Sequence, residues 1–250
     1  MLTMLGVAAC GAAIGLLVGL TGVGGILLPP FMIMLLGIDT HLAMGTSMAS
    51  FLPPALFAVW SHFRHGNIHW PTTVPLSAAG VVCVFLGTEL KAYSSGDALN
   101  LLLAILILVV GSMAFRQVST FDASTANRRP GVNLALLGGS VGVISGMTGA
   151  GGPVLTIPAM IAMGYPPLVG IAAGMVYIVL VCTAGTVGNV LHNAVDFSLA
   201  GLCAVGQVFG VWAGLVVARF LKTEVLKKMV SCLCIVTGLG ILFKTLHGWL

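Results

Sequence analysis

Thr21-Gly22-Val23-Gly24-Gly25 and Thr148-Gly149-Ala150-Gly151-Gly152 are one motif written twice, 127 residues apart. Other positions keep that offset: Gly37 pairs with Gly164, His65 with His192, and Gly87 with Gly214. Around the histidines, His65-Gly66-Asn67-Ile68-His69-Trp70 aligns with His192-Asn193-Ala194-Val195-Asp196-Phe197. Each motif interrupts an apolar run where a membrane helix would otherwise continue. A repeated unit with glycine-broken apolar segments at matching places is the sequence mark of a secondary transporter.

Composition fixes the solvent. The 250 residues are 58% hydrophobic and 6% charged, with a mean hydropathy of +1.13. A soluble domain carries about a quarter charged residues, so this chain lacks the side chains for an aqueous surface and lipid must cover most of it. The net charge of +4 comes from 10 basic and 6 acidic residues. The basic ones stand at the ends of apolar runs, as anchoring on the inner face requires. They form no aromatic-interleaved patch, so no nucleic-acid partner is expected. Cys10, Cys83, Cys182, Cys203, Cys232 and Cys234 all fall in predicted spans without ligand spacing. They read as buried small hydrophobes, with no metal, disulfide or cofactor expected. There is no glycine-lysine nucleotide loop, and the residues suggest no enzyme chemistry. Met1-Leu2-Thr3 has no basic n-region, so the first span is read as mature protein and not as a cleaved signal.

The spans repeat in order. About Leu2–Leu20 leads into the first glycine motif and then into Ile26–Leu36, which contains Pro29 and Pro30. That short piece would cover about 16 Å, roughly half a hydrocarbon core. Fuller spans follow at about Leu42–Phe63, Trp70–Leu90 and Ala98–Phe115. After a polar linker at 116–131 come Val132–Ser145, the second motif, a short Pro153–Met163, and fuller spans at Leu168–Leu191, Phe197–Ala218 and Val225–Thr245. The linker carries Arg116, Arg128 and Arg129 and is placed inside. With an odd number of passes per half, Arg64 and the group Arg219, Lys222, Lys227 and Lys228 also face inside. Loop 192–196 then faces outside, and Lys91 is the exception in an outer loop. The fold expected is an all-α polytopic membrane protein made of two inverted structural repeats. Each repeat has a glycine-broken short-helix pair plus three full spans. The first membrane repeat is 1–115, the cytoplasmic linker 116–131 and the second repeat 132–250.

Breaking a helix in hydrocarbon strands N–H and C=O groups, which survives only where protein, a polar cavity or a ligand satisfies them. The short helices start just after Gly25 and Gly152, so their free N–H groups and positive dipole ends point into the breaks. Two such ends hold an anion without a cationic side chain. The candidate substrate-binding residues are therefore Thr21, Gly22, Gly24 and Gly25 in one half and Thr148, Gly149, Gly151 and Gly152 in the other. Thr46 and Ser47 add hydroxyls that the matched Ala173 and Gly174 lack. The bland alternative is that the glycines only permit tight helix crossing. His65, Asn67 and His192 are candidates for gating or proton traffic, with loop packing as the alternative. Asp196 and Asn67 are candidate helix N-caps. No carboxylate or histidine lies mid-span to name a coupling ion.

The chain resembles the TauE/SafE sulfite exporter family, also described as the toluene-sulfonate uptake permease family. The resemblance is carried by Gly19-Leu20-Thr21-Gly22-Val23-Gly24-Gly25 with the proline-bearing run, and by His41-Leu42-Ala43-Met44-Gly45-Thr46-Ser47. Trp60, Arg64-His65-Gly66-Asn67-Ile68-His69-Trp70 and Gly146-Met147-Thr148-Gly149-Ala150-Gly151-Gly152-Pro153 complete it. It implies a permease of the bacterial cytoplasmic membrane for sulfite, organosulfonates or related small anions. Apart from the resemblance, the lipid bilayer is an expected partner, and a proton or sodium ion is a candidate coupling ion that no residue assigns. Ile171-Ala172-Ala173-Gly174 departs from the Gly-Thr-Ser of the first half and bears on specificity. Other readings are a channel-like anion pore and a non-transporting scaffold subunit.

Overall fold

Three helix starts in the second half each stand 127 residues after one in the first: Pro167 after Thr40, Phe197 after Trp70, and Thr223 after Gly96. The computed structural model describes residues 2–21, 24–115, 130–218 and 223–247, all of whose regular elements are helical. The linker 116–129 with Arg116, Arg128 and Arg129, together with Gly22, Arg219 and Lys222, lies outside the described residues.

The first half comprises α1 (Leu2–Thr21), a 3₁₀ turn (Gly24–Leu27), α2 (Leu28–Leu35), α3 (Thr40–Ser50), α4 (Leu52–Arg64), α5 (Trp70–Tyr93) and α6 (Gly96–Phe115). The second comprises α7 (Pro130–Thr148), α8 (Pro153–Ala162), α9 (Pro167–Leu191), α10 (Phe197–Ala218) and α11 (Thr223–His247). Pro130, at the end of the expected linker, opens α7, where a first-turn proline is tolerated because its N–H would be unpaired anyway. Among the described residues, five helical stretches are long and apolar enough to cross a membrane: α3 and α4 taken together, α5, α7, α9 and α10. The protein is an all-α polytopic membrane protein. Its outer surface carries side chains such as Phe57, Val82, Leu86, Phe209, Trp212 and Phe243, which only lipid accommodates in such numbers.

The span expected at about Leu42–Phe63 is present as Thr40–Arg64. It is divided at Phe51, where α3 has ended at Ser50 and α4 begins at Leu52. Pro53 and Pro54 cannot donate, so the ladder loses two bonds there. Phe51 keeps helical dihedrals of φ −77° and ψ −15°. Its N–H donates to the Ser47 carbonyl (3.2 Å) and its carbonyl accepts from the Ala55 N–H (3.1 Å). The span therefore keeps a helical path through Phe51, with the proline pair just past its midpoint.

Small residues decide which helices pair. Gly11 and Gly15 of α1 face the backbone at Cys203 and Gln207 of α10, and Gly206 and Gly210 answer from the other side. In the same way Gly138, Gly142 and Gly146 of α7 face Leu76, Gly80 and Val84 of α5. Residue numbers rise together in both contacts, so each pair is parallel. Absence of Cβ atoms brings the backbones close, as in membrane dimers built on small residues four apart. The most extensive packing thus joins one half to the other. Tyr177 of α9 packs on Gly80 of α5, and Gly188 on Thr88 further along, so α9 also runs parallel to α5. Met48 meets Gly185 while Gly45 meets Asn189, so α3 runs antiparallel to α9. Thr46 bonds Asp196, and Ser50 bonds Gln207, which makes α10 parallel to α3.

Interfacial anchors follow chemistry. Arg64, the last residue of α4, lies over the exposed Trp60 ring at 4.5 Å, a cation–π contact one helical turn long. Asp196 caps α10 as expected, its Oδ1 accepting from the Ser198 (2.8 Å) and Leu199 (3.1 Å) amides. Asn67 does not cap α5. The residue before Trp70 is His69, which makes no side-chain cap bond, and it is the Thr72 and Thr73 hydroxyls that close that turn by donating to the His69 carbonyl.

Candidate functional site

Both glycine motifs break the helix that precedes them. In the first, α1 ends at Thr21, and the chain makes a 3₁₀ turn from Gly24 before α2 begins at Leu28. In the second, α7 ends at Thr148 and α8 begins at Pro153, with Gly152 as its N-cap. Gly149, Gly151 and Gly152 have φ of 70°, 73° and 87°. Three left-handed residues in four turn the chain sharply, which only glycine does at low cost.

The two breaks meet at one side chain. A Cβ on Gly25 would lie 3.4 Å from Cε1 and Cζ of Phe51, and one on Gly151 would lie 3.3 Å from its Cδ2. The Phe51 ring is therefore wedged between the motifs. Gly151 also faces Ile178, which stands 127 residues after Phe51. Phe51 and Ile178 fall near the midpoints of their spans, Thr40–Arg64 and Pro167–Leu191. The glycine breaks therefore converge at mid-height of the helix bundle.

The second break leaves donors unanswered. Gly149 N–H donates to the Ser145 carbonyl (2.8 Å), and the amides of Leu155 and Thr156 both donate to the Gly152 carbonyl (3.1 Å). The N–H groups of Ala150, Gly151, Gly152 and Val154 have no acceptor among the described residues, although all four residues are buried. Buried amides without acceptors are rare because each costs a lost hydrogen bond. Unpaired amides at the start of a helix are donors that favour a negative solute. The buried Ser145 hydroxyl lies beside them, close to where a Gly152 Cβ would be.

The candidate hydroxyls are occupied. Ser47 Oγ donates to the Met44 carbonyl (2.8 Å) and lies 3.0 Å from the Gly149 carbonyl, tying α3 to the break. Thr46 Oγ1 accepts from the Asp196 N–H (3.0 Å). Thr148 Oγ1 donates to the Ile144 carbonyl (2.7 Å). All three are buried. Gln207 Nε2 donates to Ser50 Oγ (3.0 Å), which in turn donates to the Ser47 carbonyl (2.8 Å).

The loop residues lie apart from this centre. His65 caps the end of α4, its exposed ring Nδ1 2.7 Å from the Ser61 carbonyl. Asn67 N–H donates to the His62 carbonyl (3.0 Å). His192 Nε2 is 2.9 Å from Glu89 Oε1, a pair that is partly exposed on both sides. The two histidine loops sit at opposite ends of the α3–α4 span, since loop 192–196 joins Thr46 while loop 65–69 follows Arg64.

Three participants are not apparent from sequence alone. Phe51 reads there as one more apolar span residue, although the following Pro53-Pro54 marks where the span is divided. Ser145 precedes the motif by three residues, one turn of α7. Lys91, expected in an outer loop, belongs instead to the last turn of α5 and is 1% exposed. Hydropathy ends the span at Leu90 because a charge follows, but this lysine turns into the protein. Among the described residues no group of three or more His, Cys, Asp or Glu side chains is placed to hold a metal.

Known proteins share this chain's length and pattern. A probable membrane transporter protein of Bacillus subtilis, YdhB, is 25% identical over 238 residues, covering 92% of this chain and 96% of its own. A probable membrane transporter protein of Xylella fastidiosa is 26% identical over 243 residues, covering 94% and 93%. The probable membrane transporter protein MJ0441 of Methanocaldococcus jannaschii is 22% identical over 247 residues, covering 93% and 92%. No solved structure matches the chain. Residues 7–241, which include both glycine breaks and every helix packed on them, match the family described as sulfite exporter TauE/SafE, and the chain belongs to that family of multi-pass inner-membrane transporters.

Proposed function

We propose that the protein moves sulfite, organosulfonates or related small sulfur-containing anions across the bacterial cytoplasmic membrane by alternating access. The anion is held on the amides of the two glycine breaks. The observation that carries this reading is the set of four buried N–H groups at Ala150, Gly151, Gly152 and Val154 without acceptors among the described residues. Amides and a helix start favour a negative solute, and the family's description as sulfite exporters supports the substrate class.

Residues 1–115 and 132–250 act as inverted repeats joined by the cytoplasmic linker 116–131. Helix directions support this. Helix α9 is parallel to α5 and antiparallel to α3, α10 is parallel to α3, and so α10 opposes its counterpart α5. Inverted halves let one asymmetric arrangement exchange with its mirror, opening the site to either side. Thr21, Gly22, Gly24, Gly25, Thr148, Gly149, Gly151 and Gly152 line the site. Thr46 and Ser47 join it once α3 has moved, since Ser47 donates within the protein and Thr46 accepts from the Asp196 amide. His65, Asn67 and His192 act in gating, and a proton or sodium ion couples the cycle.

The test is flux in vesicles containing the purified protein. Labelled sulfite and a small sulfonate are expected to show saturation and counterflow, and imposed proton or sodium gradients to change the rate. Folded protein with no flux for any small anion would overturn the reading. Flux that neither saturates nor shows counterflow assigns a pore instead.

A further inference from the structure

We propose that Lys91 is a fixed positive charge that draws small oxyanions toward the glycine breaks, and that the transported anion serves as its missing counter-ion. This rests on the anion-transport reading above.

The ammonium is buried at the end of α5 and held by two neutral acceptors. Nζ donates to the His41 carbonyl (3.1 Å) and to Asn189 Oδ1. The Asn189 amide is oriented for this, because its Nδ2 donates to the Gly185 carbonyl (2.7 Å), leaving the oxygen for the ammonium. An ammonium has three N–H donors, so one remains without an acceptor among the described residues. No carboxylate lies within ion-pair distance of Lys91 among those residues. Asp39 acts on it only through space, and its carboxylate already caps α3 through the His41 (2.9 Å) and Leu42 (3.3 Å) amides. Glu89, two residues away on α5, turns outward to His192.

This arrangement costs free energy in the resting protein. A buried charge is normally paired, and a lysine at the end of a membrane helix normally extends to the headgroups. Lys91 does neither. Its partner His41 opens the helix that leads to the site. Three residues on, a rise of about 4.5 Å, Met44 abuts Gly149, and further along Phe51 stands between Gly25 and Gly151. The His41 carbonyl that holds the charge is thus about one helical turn along α3 from the contact with Gly149, on the side of loop 192–196. An oxyanion with several acceptor oxygens completes the third position of the ammonium and then meets the unanswered amides.

Two variants test this. Lys91→Met keeps the length of the side chain and removes the charge. We expect its KM for sulfite to rise about tenfold or more, the loss of one charge-assisted hydrogen bond. Sulfite should also no longer raise the melting temperature of the detergent-solubilised protein. Asn189→Asp is nearly isosteric and gives Lys91 a permanent counter-ion. It should show a raised KM, because the internal carboxylate competes with the substrate, while its stability combines the new ion pair with loss of the Nδ2 bond to the Gly185 carbonyl. A purely structural lysine predicts an unchanged KM, and that result overturns the inference. So does a Lys91→Met protein that keeps the wild-type KM and the sulfite-induced melting shift. If Lys91→Met does not fold, Asn189→Asp decides alone. Should the wild type itself transport no anion and show no melting shift with any, it is the anion reading that fails, and this inference falls with it.

Discussion

Replacing Gly149 by alanine should damage the protein far more than replacing Gly25, although the two glycines belong to the same repeated motif. Gly149 has φ of 70°, a conformation that costs an L side chain about 1–2 kcal/mol. The added Cβ would overlap the Met44 carbonyl oxygen and stand 2.7 Å from Ser47 Oγ. Neither neighbour yields easily. The first is backbone of α3, and the second is held by bonds to the Met44 and Gly149 carbonyls. Overpacking of this kind adds about 1–3 kcal/mol. If α3 retreats, the Ser47–Gly149 bond is lost at about 1 kcal/mol more. The combined loss is about 3–6 kcal/mol, a large part of the stability of an ordinary domain. A Cβ on Gly25 meets only the Phe51 ring at 3.4 Å, an ordinary contact, and costs on the order of 0–1 kcal/mol. The assay is fluorescence-detected size exclusion after heating in detergent, with membrane abundance measured in parallel. Gly149→Ala is expected to melt well below the wild type, and Gly25→Ala close to it. Equal melting of the two variants, in either direction, refutes the reasoning.

Three further outcomes are expected. Phe51→Ala removes the ring between the breaks and should add a non-saturating anion leak in vesicles; tight vesicles with normal saturation would show that the ring closes nothing. Gln207→Leu removes the buried bond to Ser50 and should lower stability by about 1 kcal/mol, read as a lower melting point with transport affinity retained. Thr46→Val strands the Asp196 amide at a cost of about 1–3 kcal/mol, and hydrogen exchange should accelerate across residues 192–196 while the end of α4 keeps its protection.

Much of the architecture was readable because its signals are local. Gly-rich motifs followed by proline-bearing runs announced the short helices, now α2 and α8, and the constant offset announced matching helix starts. The charge at Asp196 before an apolar run announced its cap. What could not be read depends on distant partners. Gly11 and Gly15 form a small-residue stripe, but nothing nearby says that it packs on Gly206 and Gly210 of α10. Lys91 looks like any cation at a span end; its inward turn requires acceptors from His41 and Asn189, 50 and 98 residues away. The motif also looks symmetric where the structure is not. Among the described glycines of the two motifs, those of the second carry positive φ and Gly25 of the first does not. The sequence shows the Thr46 and Ser47 hydroxyls but not their partners: Ser47 donates to the Met44 carbonyl and Thr46 accepts from the Asp196 amide 150 residues away.

The crossed pairing of α1 with α10 and α5 with α7 also governs biogenesis. Helix α1 leaves the ribosome long before its partner and must wait in the bilayer with its glycine stripe bare, open to insertion chaperones and to quality-control proteases. A chain cut within 116–129 leaves each fragment lacking its counterpart, so either fragment made alone should be degraded, while the two made together should rescue one another.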